Sequence, residues 1–166
     1  MNKCIHQKSK MNKYNLILLE GMSTSGKSRT MPLIVKLLGE RGIECIGFEE
    51  AQTMSRQIFT HANPRKSIEE MKAFLDKECA DGARVVVCDR FHLSHMAITN
   101  GSSSDFSEIE RDVIVHKPLL VFLEIPKEKV RERLLCTTAY RGQRHEDEMK
   151  KRGNTEEETV KWYFGT

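Results

Sequence analysis

Four short apolar runs punctuate the chain, and their character predicts the fold. Leu16-Ile17-Leu18-Leu19, within Tyr14–Glu20, is continuous rather than alternating, as expected of a strand buried on both faces of a parallel sheet. Ile43–Phe48 reads as a second strand, set between the helix stop at Gly39/Gly42 and the acidic pair Glu49-Glu50. Valine-rich Arg84–Cys88 is a third. Leu119–Ile125, opened by Pro118 and closed by Pro126, is a fourth. Helical patterns lie between them. Met31 to Leu38 is one. Ser67-x-x-Glu70 reads as a capping box in front of Met71, Phe74 and Leu75, with Gly82 past the end of that helix. Asp105 can cap a helix running to about His116, and Pro126 suits the first position of a helix carrying Val130, Leu134 and Leu135. The alternation βαβαβαβα with buried strands predicts an α/β fold of three layers around a central parallel sheet.

The ends of the chain differ from this middle. Residues 1–13 carry Lys3, Lys8, Lys10 and Lys13 without an apolar stretch and read as a loose basic leader. After Cys136 charge dominates, and residues 137–153 read as a mobile segment. A last helix is expected from Thr155, with Trp162-Tyr163-Phe164 near its end. With 166 residues in all and no internal repeat, residues 14–166 form one expected domain.

Composition narrows the classes. Apolar residues make up 39% and charged residues 31%, enough for a packed core and against wholesale disorder. Twenty-seven Lys+Arg against twenty-four Asp+Glu leave +3, which suits anionic small molecules and is too weak to argue for a nucleic-acid partner. No apolar run is long enough to span a bilayer. Five cysteines with no C-x-x-C pair argue for a reducing compartment. A soluble cytoplasmic domain is expected, with a small-molecule partner and no membrane; a homodimer stays open.

The chemistry concentrates after the first strand. Gly21-Met22-Ser23-Thr24-Ser25-Gly26-Lys27-Ser28 fits the phosphate-loop pattern G-x-x-x-x-G-K-S/T in full. Its glycines let backbone N–H groups curl inward onto phosphate oxygens, and the following helix aims its positive end at the same anion. Lys27 can reach the β- and γ-phosphates, and the Ser28 hydroxyl can ligate Mg²⁺. The motif follows a strand and precedes a helical stretch, which is the context it requires. Pro32, about one turn into that helix, has no functional account.

Among phosphate-loop classes, a GTPase would need D-x-x-G after the loop, and no aspartate here is followed three residues later by glycine. Helicase and transporter ATPases need a larger domain. A small-molecule kinase fits the length, and three features support it. Asp89-Arg90 ends the third strand, where an acidic residue can approach the metal and where ligands bind open α/β sheets. Arg141 and Arg144 lie in the charged segment, whose guanidinium groups could neutralise a phosphoryl group in transfer and whose closure would exclude water. Glu49 or Glu50, at the end of the second strand, could take a proton from the acceptor; only one can face it, because neighbouring strand residues point oppositely. A catalytically silent nucleotide-binding module and a kinase of an unrelated small molecule remain as alternatives. Cys79, Cys88, His92 and His95 match no familiar zinc spacing. His92 and His95 share a helix face, where packing is the first expectation and lining of an acceptor pocket the second.

Leu19-Glu20-Gly21…Gly26-Lys27-Ser28, Phe48-Glu49-Glu50, Asp89-Arg90-Phe91-His92-Leu93-Ser94 and Arg141…Arg144-His145-Glu146 resemble the thymidylate kinase and deoxynucleoside kinase superfamily over about residues 14 to 164. The resemblance implies a P-loop NTPase fold and transfer of the γ-phosphoryl group of ATP, with Mg²⁺, to a nucleoside or nucleoside monophosphate. It makes residues 137–153 a lid and favours Glu49 as the base. It also implies a fifth strand and an adenine-holding loop after the lid helix. The chain stops at Thr166, so a truncated or minimal member is expected. Phe48-Glu49-Glu50-Ala51 lacks the proline that both families carry there, which leaves the acceptor open.

Overall fold

The structure is a computed structural model and describes residues 13–53, 63–80, 82–141 and Glu158. The basic leader before Lys13, Arg144, most of the expected lid and the Trp162-Tyr163-Phe164 end lie outside the described residues.

Two strands form the centre of a parallel sheet: β1 (Leu16–Glu20) and β3 (Val85–Asp89). Every residue of both is buried. β2 (Cys45–Phe48) pairs with β3, and β4 (Pro118–Phe122) pairs with β1, giving the order β2-β3-β1-β4. The continuous apolar runs thus belong to the central strands. β4 is an edge strand among the described residues, shorter than expected, and Leu120 and Phe122 are 49% and 59% exposed. The expectation that all four strands are buried fails at both outer strands, since every residue of β2 is also only half-buried: an outer strand has a neighbour on one side alone, and the helices centre on β1 and β3.

Helices cover both faces. α1 (Lys27–Glu40) lays Met31 against Ile17, Leu19, Val85 and Val87. On the other face, α3 (Pro64–Glu78) contributes Ile68, Met71 and Leu75, and α5 (Ser103–Val115) contributes Phe106, Ile109 and Val113. These pack on Leu16, Leu18, Val86 and Cys88. Alternate residues of each central strand feed opposite cores, so truncating one such leucine to alanine costs about 3 kcal/mol. Short helices α2 (Glu50–Thr53) and α4 (His92–Ile98) follow β2 and β3 directly, and α6 (Lys127–Arg141) follows β4.

Two helix starts differ from the sequence reading. α3 begins at Pro64 under an Asn63 cap, whose Oδ1 accepts from the backbone N–H of Arg65 at 3.0 Å. Asparagine followed by proline is a stronger start signal than the expected Ser67 box, and Ser67 is instead buried inside the helix. α5 is capped by Ser102 in a reciprocal box with Asp105, three residues earlier than Asp105 alone would place it. Pro32 sits on the exposed side of α1. There its missing N–H leaves only the Ser28 carbonyl without an i+4 donor.

Candidate active site

The parallel register puts Leu19 beside Asp89, so β1 and β3 end together and deliver their following loops to one place. The phosphate loop leaves β1 through Gly21, at φ +135°. A Cβ on Gly21 would stand 2.4 Å from the carbonyl oxygen of Leu123, whose N–H donates to Glu20 O at 2.8 Å. Only glycine allows the loop to start so close to the chain after β4. At the far end Gly26 adopts φ +97° and caps α1. Met22 anchors the loop from outside against buried Val130 and Leu134 of α6.

Lys27 opens α1 and is 4% exposed. Its Nζ donates to the carbonyls of Gly21 and Met22, each at 2.8 Å, and to Ser25 Oγ at 3.3 Å. Burial, reinforced by the nearby Arg90 guanidinium, lowers its pKa to about 8 against the pull of Asp89, Glu50 and Glu20. A buried ammonium held at this cost is poised to meet an anion.

Ser28 Oγ donates to Asp89 Oδ2 at 2.6 Å. Asp89 Oδ1 is buried and takes no hydrogen bond, and Thr24 Oγ1 is in the same condition. A hydroxyl paired with a carboxylate that still has a bare oxygen is a donor set suited to Mg²⁺, a hard cation that takes few protein oxygens and keeps several waters. Thr24 Oγ1, inside the loop, suits a phosphate oxygen.

Arg90 links three segments. Its Nη2 donates to Ser23 Oγ at 3.1 Å, and its Nη1 lies 3.4 Å from Glu50 Oε1. The backbone reaches this arrangement with φ +69°, a left-handed conformation that costs a non-glycine residue about 1–3 kcal/mol. Glu50, first residue of α2, is drawn inward. Burial raises its pKa, opposed by Arg90. Glu49 is exposed, with its backbone N–H donating to Gln52 Oε1. The geometry therefore differs from the register that the resemblance favours: Glu50 faces the loop and Glu49 faces solvent.

Glu20, in the sequence the polar end of the first strand and part of the resemblance, is 1% exposed. Its Oε1 accepts from the backbone N–H of Phe91 at 2.9 Å and of Ser94 at 3.4 Å, and its Oε2 accepts from Ser94 Oγ. A charge closing a strand of four apolar residues was the available signal. His92 and His95 are buried; His95 Nδ1 pairs with Ser67 Oγ, and burial, with His92 and Arg90, lowers its pKa to about 3. Cys79 and Cys88 are buried in the core against the same helices. Arg141 ends α6, and nothing is described of its side chain; the described part of the expected lid is helical up to that residue.

A complete phosphate loop between β1 and α1, with an acidic residue at the end of the neighbouring strand, defines a P-loop NTPase fold with a nucleotide-binding site. No known family model matches the chain. The thymidylate kinase of Desulfotalea psychrophila (strain LSv54 / DSM 12343) is 29% identical over 149 residues, which span 80% of this chain and 72% of that relative. The YorR protein of Bacillus subtilis, solved in complex with phosphorylated GDP, aligns with a TM-score of 0.54 at 20% identity, covering 90% of this chain and 77% of that one. Thymidylate kinase from Ehrlichia chaffeensis aligns with a TM-score of 0.48 at 19% identity, over 71% of this chain and 80% of that one. The chain has the P-loop NTPase fold and is similar in sequence to the thymidylate kinases, which supports a nucleotide kinase, a phosphotransferase by class. No helix of the described residues is long and apolar enough to cross a membrane.

Proposed function

We propose that the protein transfers the γ-phosphoryl group of ATP to a nucleoside or nucleoside monophosphate, using Mg²⁺. The observation that carries this reading is the set Lys27, Ser28, Asp89, Arg90 and Glu50, drawn from three stretches of the chain and gathered at one mouth of the sheet. The backbone of residues 21–26 and the Lys27 ammonium hold the donor phosphates. Ser28 and Asp89 would hold the metal, which when bound neutralises charge shared between the β- and γ-phosphates. Arg90, fixed between Ser23 and Glu50, stands between donor and acceptor and offers paired N–H groups to the equatorial oxygens of the group in transfer.

Glu50 is the acceptor-side carboxylate in this reading. A nucleoside hydroxyl needs a base to take its proton as the bond to phosphorus forms, and a carboxylate of raised pKa suits that role. A monophosphate acceptor attacks through an oxygen that is already anionic, and Glu50 would then orient Arg90 rather than move a proton. Arg141 and Arg144 are assigned to the closing lid, where they add cationic donors over the phosphates. The relative named as a thymidylate kinase supports a monophosphate acceptor.

The test is ATP turnover with purified protein and Mg²⁺ against a panel of nucleosides and their monophosphates. Transfer to one of these classes is expected. ATP binding without transfer to any of them would replace the reading with a silent nucleotide-binding module or a kinase of another small molecule.

A further inference from the structure

We infer that Glu20 is a positioning residue for Arg90, acting through the turn that joins β3 to α4. The inference rests on the reading of Arg90 as the residue that meets the group in transfer. Three observations carry it. Glu20 is the last residue of β1, and the buried pattern of that strand sends its side chain inward, where a carboxylate survives only if its oxygens are paired. Its partners come from the turn after β3 and from the first turn of α4: Phe91 N–H, Ser94 N–H and the Ser94 hydroxyl. The residue between β3 and those donors is Arg90, held at φ +69°, with its own N–H donating to Leu19 O at 2.9 Å.

β1 therefore grips the turn at two successive residues. Leu19 holds the backbone of Arg90, and Glu20 holds the backbone of Phe91. A left-handed arginine relaxes to an ordinary conformation unless its flanks are fixed. With φ free, the guanidinium would swing away from Ser23 and Glu50, since a backbone rotation moves the tip of so long a side chain by several ångströms. The same β1 residue precedes Gly21, so one strand end sets both the start of the phosphate loop and the aim of the arginine above it. Ser94 completes the clamp by pairing the second carboxylate oxygen, which would otherwise be buried alone.

The experiment is a double-mutant cycle on transfer to the best acceptor, with ATP affinity measured beside it. Glu20→Ala should lower kcat by about 10²-fold, the scale of misplacing a transfer group by an ångström, and leave the ATP dissociation constant within about threefold. Glu20→Gln should restore most of kcat, because its amide oxygen still accepts from Phe91 and its NH₂ donates to a rotated Ser94 hydroxyl. In the Arg90→Ala background, Glu20→Ala should cost no further kcat. Ser94→Ala removes only one donor and serves if Glu20→Ala fails to fold; it should lower kcat severalfold beside Arg90 and not at all in the Arg90→Ala background. Losses that multiply in the double variants would overturn the positioning role while leaving Arg90 in place. A wild-type kcat in Arg90→Ala alone would overturn the reading of the arginine itself.

Discussion

Ser28 and Asp89, 61 positions apart in the chain, share a hydrogen bond of 2.6 Å across the mouth of the sheet. The pair exists because the β1–β3 register is fixed by burial: slipping β3 by one residue would turn Asp89 into the wrong core and bring a neighbour to Ser28. In the proposed reading this contact would offer Mg²⁺ a hydroxyl and a carboxylate with one oxygen to spare.

Asp89→Asn should lower turnover by about 10²-fold or more, on the scale of losing one stabilising group at developing charge. Metal-free ATP affinity should stay near wild type, while the gain in affinity on adding Mg²⁺ should shrink. Titrating ATP with and without EDTA separates the two. An undiminished Mg²⁺ effect would take Asp89 out of the metal site.

Lys27 links nucleotide binding to protons. Its pKa of about 8 lies below the 10.5 of a free lysine, so between these values the unfolded chain holds more proton on this group than the folded one. This group therefore adds stability as pH rises from about 8 to about 10.5, while binding shows the opposite trend. ATP phosphates favour the ammonium, so binding should take up a proton and affinity should fall as pH rises above about 8. Calorimetry at pH 8.5 in two buffers of different ionisation heat measures the uptake. Lys27→Met should abolish it and weaken ATP binding; unchanged uptake would place the proton elsewhere.

Glu50→Gln distinguishes the acceptor classes. With a nucleoside acceptor, loss of the base should cost about 10²-fold in kcat. With a monophosphate acceptor the loss should be much smaller, because no proton has to leave. Glu49→Gln should be silent in both cases, since that side chain is exposed. A large effect of Glu49→Gln with none of Glu50→Gln would restore the register that the resemblance favours.

Acid should unfold the protein partly through His95. Its folded pKa of about 3 is depressed by burial, so the imidazole stays neutral in the fold while the unfolded chain takes up a proton below about pH 6.5. The stability this residue supports is complete above pH 6.5 and is lost as pH falls toward 3, at no more than about 1.4 kcal/mol per pH unit. Urea unfolding at pH 7 and pH 4.5 should show a smaller drop for His95→Asn than for the native chain. Equal drops would assign acid sensitivity to other groups.

The sequence made the site legible wherever chemistry is local. Gly21 to Ser28 follows a fixed spacing, and Asp89-Arg90 was found because it ends a valine run. What stayed hidden depended on how two distant segments meet. Glu20 looks like the polar end of a strand until the turn after Asp89 is seen to close on it. Glu49 and Glu50 could not be told apart because the chain leaves β2 for α2 between them, and strand alternation says nothing about a helix start. Leu120 and Phe122 looked like core because apolar runs do not show whether a strand is central or at an edge.

The left-handed backbone at Arg90 also carries a conformational cost. Glycine would occupy that turn at no steric expense, and alanine would suffer the same crowding as arginine. Both replacements lose the guanidinium contacts to Ser23 and Glu50, so the difference between them isolates the tension in the turn. Arg90→Gly should be more stable than Arg90→Ala by about 1 kcal/mol, although both are equally poor at transfer. Backbone and side chain thus pull this position in opposite directions: the left-handed turn favours glycine, while the contacts to Ser23 and Glu50 need an arginine.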